Sequence, residues 1–196
     1  MIIEFQVYSK SYNEKILKSY SPFEYTCPKC GAKARFHRHG TYLRWVTCLS
    51  TNGDIAFESL EILRLKCKSC NSTHSILPAD IIPFQVYSLP VLLFLCKSIL
   101  IHKDSLRKTV GKTKVTIQTI YQKLILLKRT LPLIELYFRQ VDLYTSSISI
   151  TSKTALNLLL LPTMNFHSYF HCHGQPIFLS RRNTISYHFY IGAVFT

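Results

Sequence analysis

Acidic side chains are scarce in this sequence: 10 Asp and Glu stand against 24 Lys and Arg, for a net charge of +14. After residue 130 the only acids are Glu135 and Asp142. That is too few for the separated carboxylates that hold a pair of catalytic metal ions. Glycine is also sparse, with 6 in 196 residues, and no phosphate-cradling glycine loop occurs. No nucleophile stands beside a base, so the expectation is a protein that is not an enzyme and has no small-molecule substrate. Long apolar runs are missing as well. The most apolar helical stretch, Leu89 to Ile101, is interrupted by Lys97 and is shorter than the ~20 residues a bilayer span needs. It reads as a core helix, and no membrane partner is expected. The opening MIIEFQVYSKSYNEK lacks the basic n-region, apolar h-region and small-residue cleavage site of a secretory leader, which predicts a cytoplasmic, nucleoid-associated protein.

Hydrophobic residues make up 47% of the chain, so it can bury a core and is not a disordered tail. The length suits a small metal-stapled domain followed by a helical one. Seven cysteines is an odd number, and in a reducing compartment paired C-x-x-C knuckles point to metal ligation more than to disulfides.

Those knuckles are Cys27-Pro-Lys-Cys30 and Cys67-Lys-Ser-Cys70. A C-x-x-C loop lets two thiolates converge on one cation, and Gly31 just after the first loop permits the tight turn it needs. Two such loops complete a tetrahedron. The 36 residues between Cys30 and Cys67 hold two alternating runs, Thr41 to Leu49 and Ile55 to Leu65, around the turn residues Asn52, Gly53 and Asp54, so a hairpin should link the knuckles. Four sulfurs leave no open position for water, which predicts one structural Zn²⁺ on Cys27, Cys30, Cys67 and Cys70. His37, His39 and His74 lie close by and read as surface or phosphate-contacting side chains. Cys48 and Cys96 read as inert core thiols. His167, His171, Cys172 and His173 form a denser group that a second metal could use, although adjacent residues in an extended segment point opposite ways.

Past Pro78 the alternation gives way to helical spacing. Helices are expected over Tyr87 to Ile101, over Asp104 to Val110 with Asp104 as N-cap and Gly111 as stop, and from Thr116 to about Leu131 before Pro132. Residues 97 to 129 carry nine basic side chains against the single acid Asp104. Leu106 and Val110, then Ile117, Ile120 and Leu124, are spaced as the apolar contacts of a helix-turn-helix. Arg107 stands where a small residue normally allows close helix approach, and Lys112 where an apolar one is usual. This packing would expose Lys114, Thr116, Gln118, Thr119, Gln122 and Lys123. With Lys112, Lys128 and Arg129 they form the expected DNA-binding set: Gln suits adenine, Lys guanine or phosphate, and Thr thymine methyls or the backbone. A helical hairpin with a solvated basic face is the plainer alternative.

The phrases CPKCG, HRHGTYLR, LRLKCKSCNSTHSILP and IIPFQVYS, followed by the helical segment, resemble the zinc-ribbon and helix-turn-helix heads of insertion-sequence transposases. They are most similar to an uncharacterised domain-of-unknown-function family related to those heads. The resemblance covers roughly residues 25 to 130. It implies metal-dependent DNA binding, with Cys27, Cys30, Cys67 and Cys70 as metal positions and the helix from Thr116 as the recognition helix. The expected fold class is thus α+β: an N-terminal arm (1–24), a zinc ribbon built on a β-hairpin (25–80), a helix-turn-helix domain (84–131) and a tail of unassigned role (132–196). The leading expectation is a zinc-stabilised duplex-DNA-binding regulator or accessory factor without a catalytic domain. A transposase or nuclease fragment inactive alone, and a ribbon that binds RNA or protein, are the alternatives.

Overall fold

The computed structural model describes residues 2–4, 7–21, 24–50, 54–140 and 142–160. The fold is α+β. Four strands, β1 (Ile2–Glu4), β2 (Phe36–Leu49), β3 (Ile55–Cys67) and β4 (Thr73–Pro78), form a sheet in the order β1-β4-β3-β2. A short helix, α1 (Ser9–Tyr12), runs on into a π-helical turn at Asn13–Lys18. Helices α2 (Leu89–Leu100), α3 (Leu106–Thr113), α4 (Ile117–Gln140) and α5 (Ser152–Leu159) follow. The described residues divide into two compact units, residues up to 46 with 57–86, and residues 47–56 with those from 87 onward.

In the first unit the N-terminal residues do not stand apart as an arm. β1 pairs in parallel with β4, Ile2 opposite Ile76, and Ile2, Val7, Tyr12 and Ile16 join Phe36, Leu63, Leu65 and Leu77 in one core. Their apolar side chains gain more by burial there than an arm could in water. The Tyr12 hydroxyl, fully buried, accepts from Leu63 N–H at 3.0 Å and donates to Ile76 C=O at 2.8 Å, bridging β3 and β4. Asp80 anchors the start of α1 from the far side of the sheet's sequence, accepting from Ser9 N–H at 2.8 Å and from the Ser9 hydroxyl at 2.5 Å. Burial raises the pKa of that carboxyl. Two of the specific sequence phrases meet physically: Arg44 of HRHGTYLR donates to the carbonyls of Ile82 and Gln85 in IIPFQVYS, at 2.7 and 2.9 Å.

The hairpin of β2 and β3 is closed by Ser50 N–H on Asp54 C=O at 2.8 Å; the turn residues Asn52 and Gly53 lie outside the described set. On its solvent face Trp45 and Phe57 stack with centroids 5.2 Å apart, both more than half exposed.

In the second unit α2 packs against α3, α4 and α5, and α4 also packs against α3 and α5. Three helix ends differ from the sequence expectation. Ser105, not Asp104, caps α3 by accepting from Lys108 N–H at 3.2 Å, while Asp104 pairs with Lys108 and Lys112 at 2.6 and 3.0 Å. Gly111 lies within α3. The helix ends instead at Lys114, whose φ of 58° is left-handed, because buried Thr113 donates to Thr109 C=O at 2.7 Å and its oxygen accepts from the N–H of buried Val115 at 3.3 Å. α4 runs through Pro132 to Gln140, since Ile134, Tyr137 and Phe138 beyond the proline are buried. The segment after 132 is therefore partly helical core. Its acid Glu135 is occupied by Arg139 at 2.7 Å and by Ile150 N–H at 3.0 Å. Among the described residues no helix is long and apolar enough to cross a membrane.

Candidate functional site

Each C-x-x-C loop is shaped by the same two backbone bonds. In the first, Cys27 N–H donates to Ala32 C=O and Gly31 N–H to Cys27 C=O, both at 2.9 Å. In the second, Cys67 N–H donates to Ser72 C=O and Asn71 N–H to Cys67 C=O, again at 2.9 Å. The residue after each second cysteine sits in the left-handed region, Gly31 at φ 72° and Asn71 at φ 56°. Glycine and asparagine are the residues that tolerate this conformation at least cost. A further bond, Lys68 N–H to Arg35 C=O at 2.7 Å, ties the second loop to the residue just ahead of β2.

The result is one cluster. The sulfurs of Cys27, Cys30, Cys67 and Cys70 all lie within 4.8 Å of one another, with Cys27 and Cys70 at 3.6 Å and Cys30 and Cys67 at 3.7 Å. Such a set of four thiols can hold a metal ion. No other group of three or more His, Cys, Asp or Glu among the described residues is arranged to do so. Burial pushes the Cys27 thiol up, whereas hydrogen bonds from the Ser72 side chain and backbone pull Cys70 down. The two sulfurs thus differ in how readily they ionise.

His74 departs from the surface role expected of it. It is buried, its Nε2 is 3.5 Å from Cys27 Sγ, and its ring meets Phe36 edge-on at a centroid distance of 5.8 Å. Burial first, with a contribution from the charge of Lys29, lowers its pKa to about 4, so the imidazole is neutral at pH 7. Alternation along β4 carried the signal: Ile76 and Pro78, two and four residues on, are buried on the same strand. His37 and His39 are exposed, their rings 6.5 Å apart. Cys96 is a buried thiol in α2, raised to about 12 by burial, and Cys48 is half-buried. His167, His171, Cys172 and His173 lie outside the described residues.

The expected DNA-contacting residues divide. Lys112, Lys114, Thr116, Gln118, Gln122, Lys128 and Arg129 are exposed, and Thr119 is half-buried. Lys112 is already paired with Asp104. Thr116 caps α4, its hydroxyl accepting from Thr119 N–H at 3.3 Å. Lys123 is not on this surface. It is 8% exposed, on the same helical face as the core residues Ile120 and Leu127, and burial lowers its pKa. Spacing explains the error: positions 120, 123 and 127 recur at three and four residues, the repeat of a packed stripe. Conversely Ile117, expected to pack inward, is 46% exposed. On α3 Thr109 is fully buried, while Arg107 is exposed.

Residues 27–122 match the family model described as Domain of unknown function (DUF6431). The match begins at the first clustered cysteine and ends within α4, so it takes in the cysteine cluster, the hairpin, α2 and α3. No curated protein and no solved structure matches the chain.

Proposed function

We propose that this chain is a zinc-stabilised DNA-binding protein, a regulator or accessory factor related to the heads of insertion-sequence transposases, in which the cysteine cluster is a zinc ribbon and α3 and α4 are a helix-turn-helix. The observation that carries the reading is the surface of α4. Gln118 and Gln122 share an exposed face with Lys128 and Arg129, and Lys114 stands just before the helix. Amides in the first turns of α4, with one cation just before the helix and two more near its middle, suit a major groove: bases are read between the cations and phosphates are held on either side. The three-residue connection Lys114–Thr116 between α3 and α4 is short enough for the second helix to be presented by the first.

Zn²⁺ fits the donor set. Four sulfurs with no carboxylate or second imidazole among them suit a tetrahedral, closed, structural ion. Such an ion supplies folding energy and not reactivity. What this chain's own residues do is hold it: paired amide bonds in each knuckle preset the thiol positions, and Lys68 N–H fastens the second knuckle to Arg35, just ahead of β2.

A second reading, a ribbon that contacts RNA or protein, draws on the exposed Trp45–Phe57 stack, because exposed aromatic faces accept unpaired bases. Metal analysis with titration of duplex DNA against structured RNA separates the readings. About one zinc per chain with salt-dependent duplex binding supports the first; RNA preference lost on Trp45→Ala supports the second.

A further inference from the structure

One face of α4 carries more than amides and cations. Ile117 is 46% exposed and Tyr121 58% exposed, one turn apart and beside the exposed Gln118 and Gln122. Ile117, three residues before Ile120, stands at the edge of this face, next to the stripe of Ile120 and Leu127 that packs. A single exposed apolar residue on a helix requires no explanation. Two at i and i+4, interleaved with two carboxamides and followed by Lys128 and Arg129, form a patterned surface.

Major-groove chemistry fits that pattern. Thymine is the base that presents a methyl group there, and adenine presents the N6 donor and N7 acceptor that a carboxamide matches. Four residues of helix rise about 6 Å, close to two base steps of about 3.4 Å each. Ile117 and Tyr121 can therefore meet methyls about two base pairs apart while the glutamines meet adenines. The flanking cations, Lys114 before the helix and Lys128 with Arg129 beyond, complement the phosphate backbone on either side of the groove.

We propose that Ile117 and Tyr121 contact thymine 5-methyl groups, so that the face of α4 selects A·T base pairs in duplex DNA. This rests on reading α4 as a recognition helix and adds the base class it reads.

The test uses the zinc-loaded full chain. Sites are first selected from a random duplex library. Affinity is then measured on the selected duplex with thymidine and with deoxyuridine, which differs only by the methyl. The expected selection has an A·T core, and each critical thymine replaced by uracil weakens the wild type about four-fold, the worth of one buried methyl. Ile117→Ala and Tyr121→Ala should bind the two duplexes more equally, with salt slope and thermal midpoint unchanged because both side chains are exposed. A G·C core, or wild-type indifference to uracil, overturns this inference while leaving duplex binding intact. A change of oligomeric state in Ile117→Ala, with methyl sensitivity kept, overturns it in favour of a second copy of the chain on this face. Absence of salt-dependent binding to any duplex overturns the recognition-helix reading itself.

Discussion

The Nε2 of His74 lies 3.5 Å from the Sγ of Cys27, and both side chains are buried. With its pKa lowered to about 4, the imidazole is neutral, and the tautomer protonated on Nε2 would donate to a Cys27 thiolate. A hydrogen bond of this kind favours the thiolate over the thiol, so the ligand is more easily deprotonated for the cation, and such supporting partners orient it. His74→Phe should therefore weaken metal affinity about 10- to 100-fold. It should also shift the sulfur-to-metal charge-transfer band of the Co²⁺-substituted protein to lower energy. Unchanged affinity and an unmoved band would show that His74 only fills space.

Lys114 holds a left-handed backbone at φ 58° just past α3. A residue with a Cβ is disfavoured there by roughly 1–2 kcal/mol. Lys114→Gly is expected to raise stability by about 1 kcal/mol in chemical denaturation. If Lys114 also contacts a phosphate, the same change lowers the salt slope of duplex binding by about one unit. A variant that is both less stable and equally salt-dependent would contradict both roles.

Lys123 sits among the core residues of α4, and burial lowers its pKa. Because the folded pKa falls below the unfolded one, the unfolded chain binds more protons between the two values. Stability should then rise as pH climbs through that window toward the ordinary lysine value near 10.5, and the burial penalty is fully present below it. Lys123→Met should flatten this rise and leave duplex affinity unchanged. A loss of affinity without loss of fold would return Lys123 to the DNA surface.

Tyr12→Phe removes the hydroxyl that joins Leu63 N–H to Ile76 C=O. Leaving those buried groups unpaired should cost about 1–3 kcal/mol, measured by urea unfolding, with the metal still bound in the folded state. A neutral effect would mean that β3 and β4 close the gap themselves.

The cysteine spacing made the cluster legible because C-x-x-C restricts geometry locally, and the hairpin followed from alternation on either side of Asn52 and Gly53. The role of the first residues was not legible. Ile2, Tyr12 and Ile16 are sparse in sequence and acquire meaning only from β4, more than 60 residues away. The ends of α3 and α4 were misread for a related reason. Gly111 and Pro132 signal breaks in isolation, but Thr113, Val115, Ile134 and Phe138 are held by tertiary burial that outweighs those local preferences. Lys123 was assigned to the surface by residue type, although its spacing with Ile120 and Leu127 already placed it on the packed stripe. His74 reads as a surface residue by its chemistry, whereas its place in β4, two residues before buried Ile76, puts it on the inward side.

The central claim is that a metal-held chain binds duplex DNA through the exposed face of α4. It is tested most directly by fluorescence-anisotropy titration of a labelled duplex with the zinc-loaded wild type and with the Lys128→Ala, Arg129→Ala double variant at two salt concentrations. The account predicts tight binding that falls with salt, a slope smaller by about two units in the variant, and an unchanged thermal midpoint, since both side chains are exposed. Equal affinity and equal slope for the two proteins would contradict it.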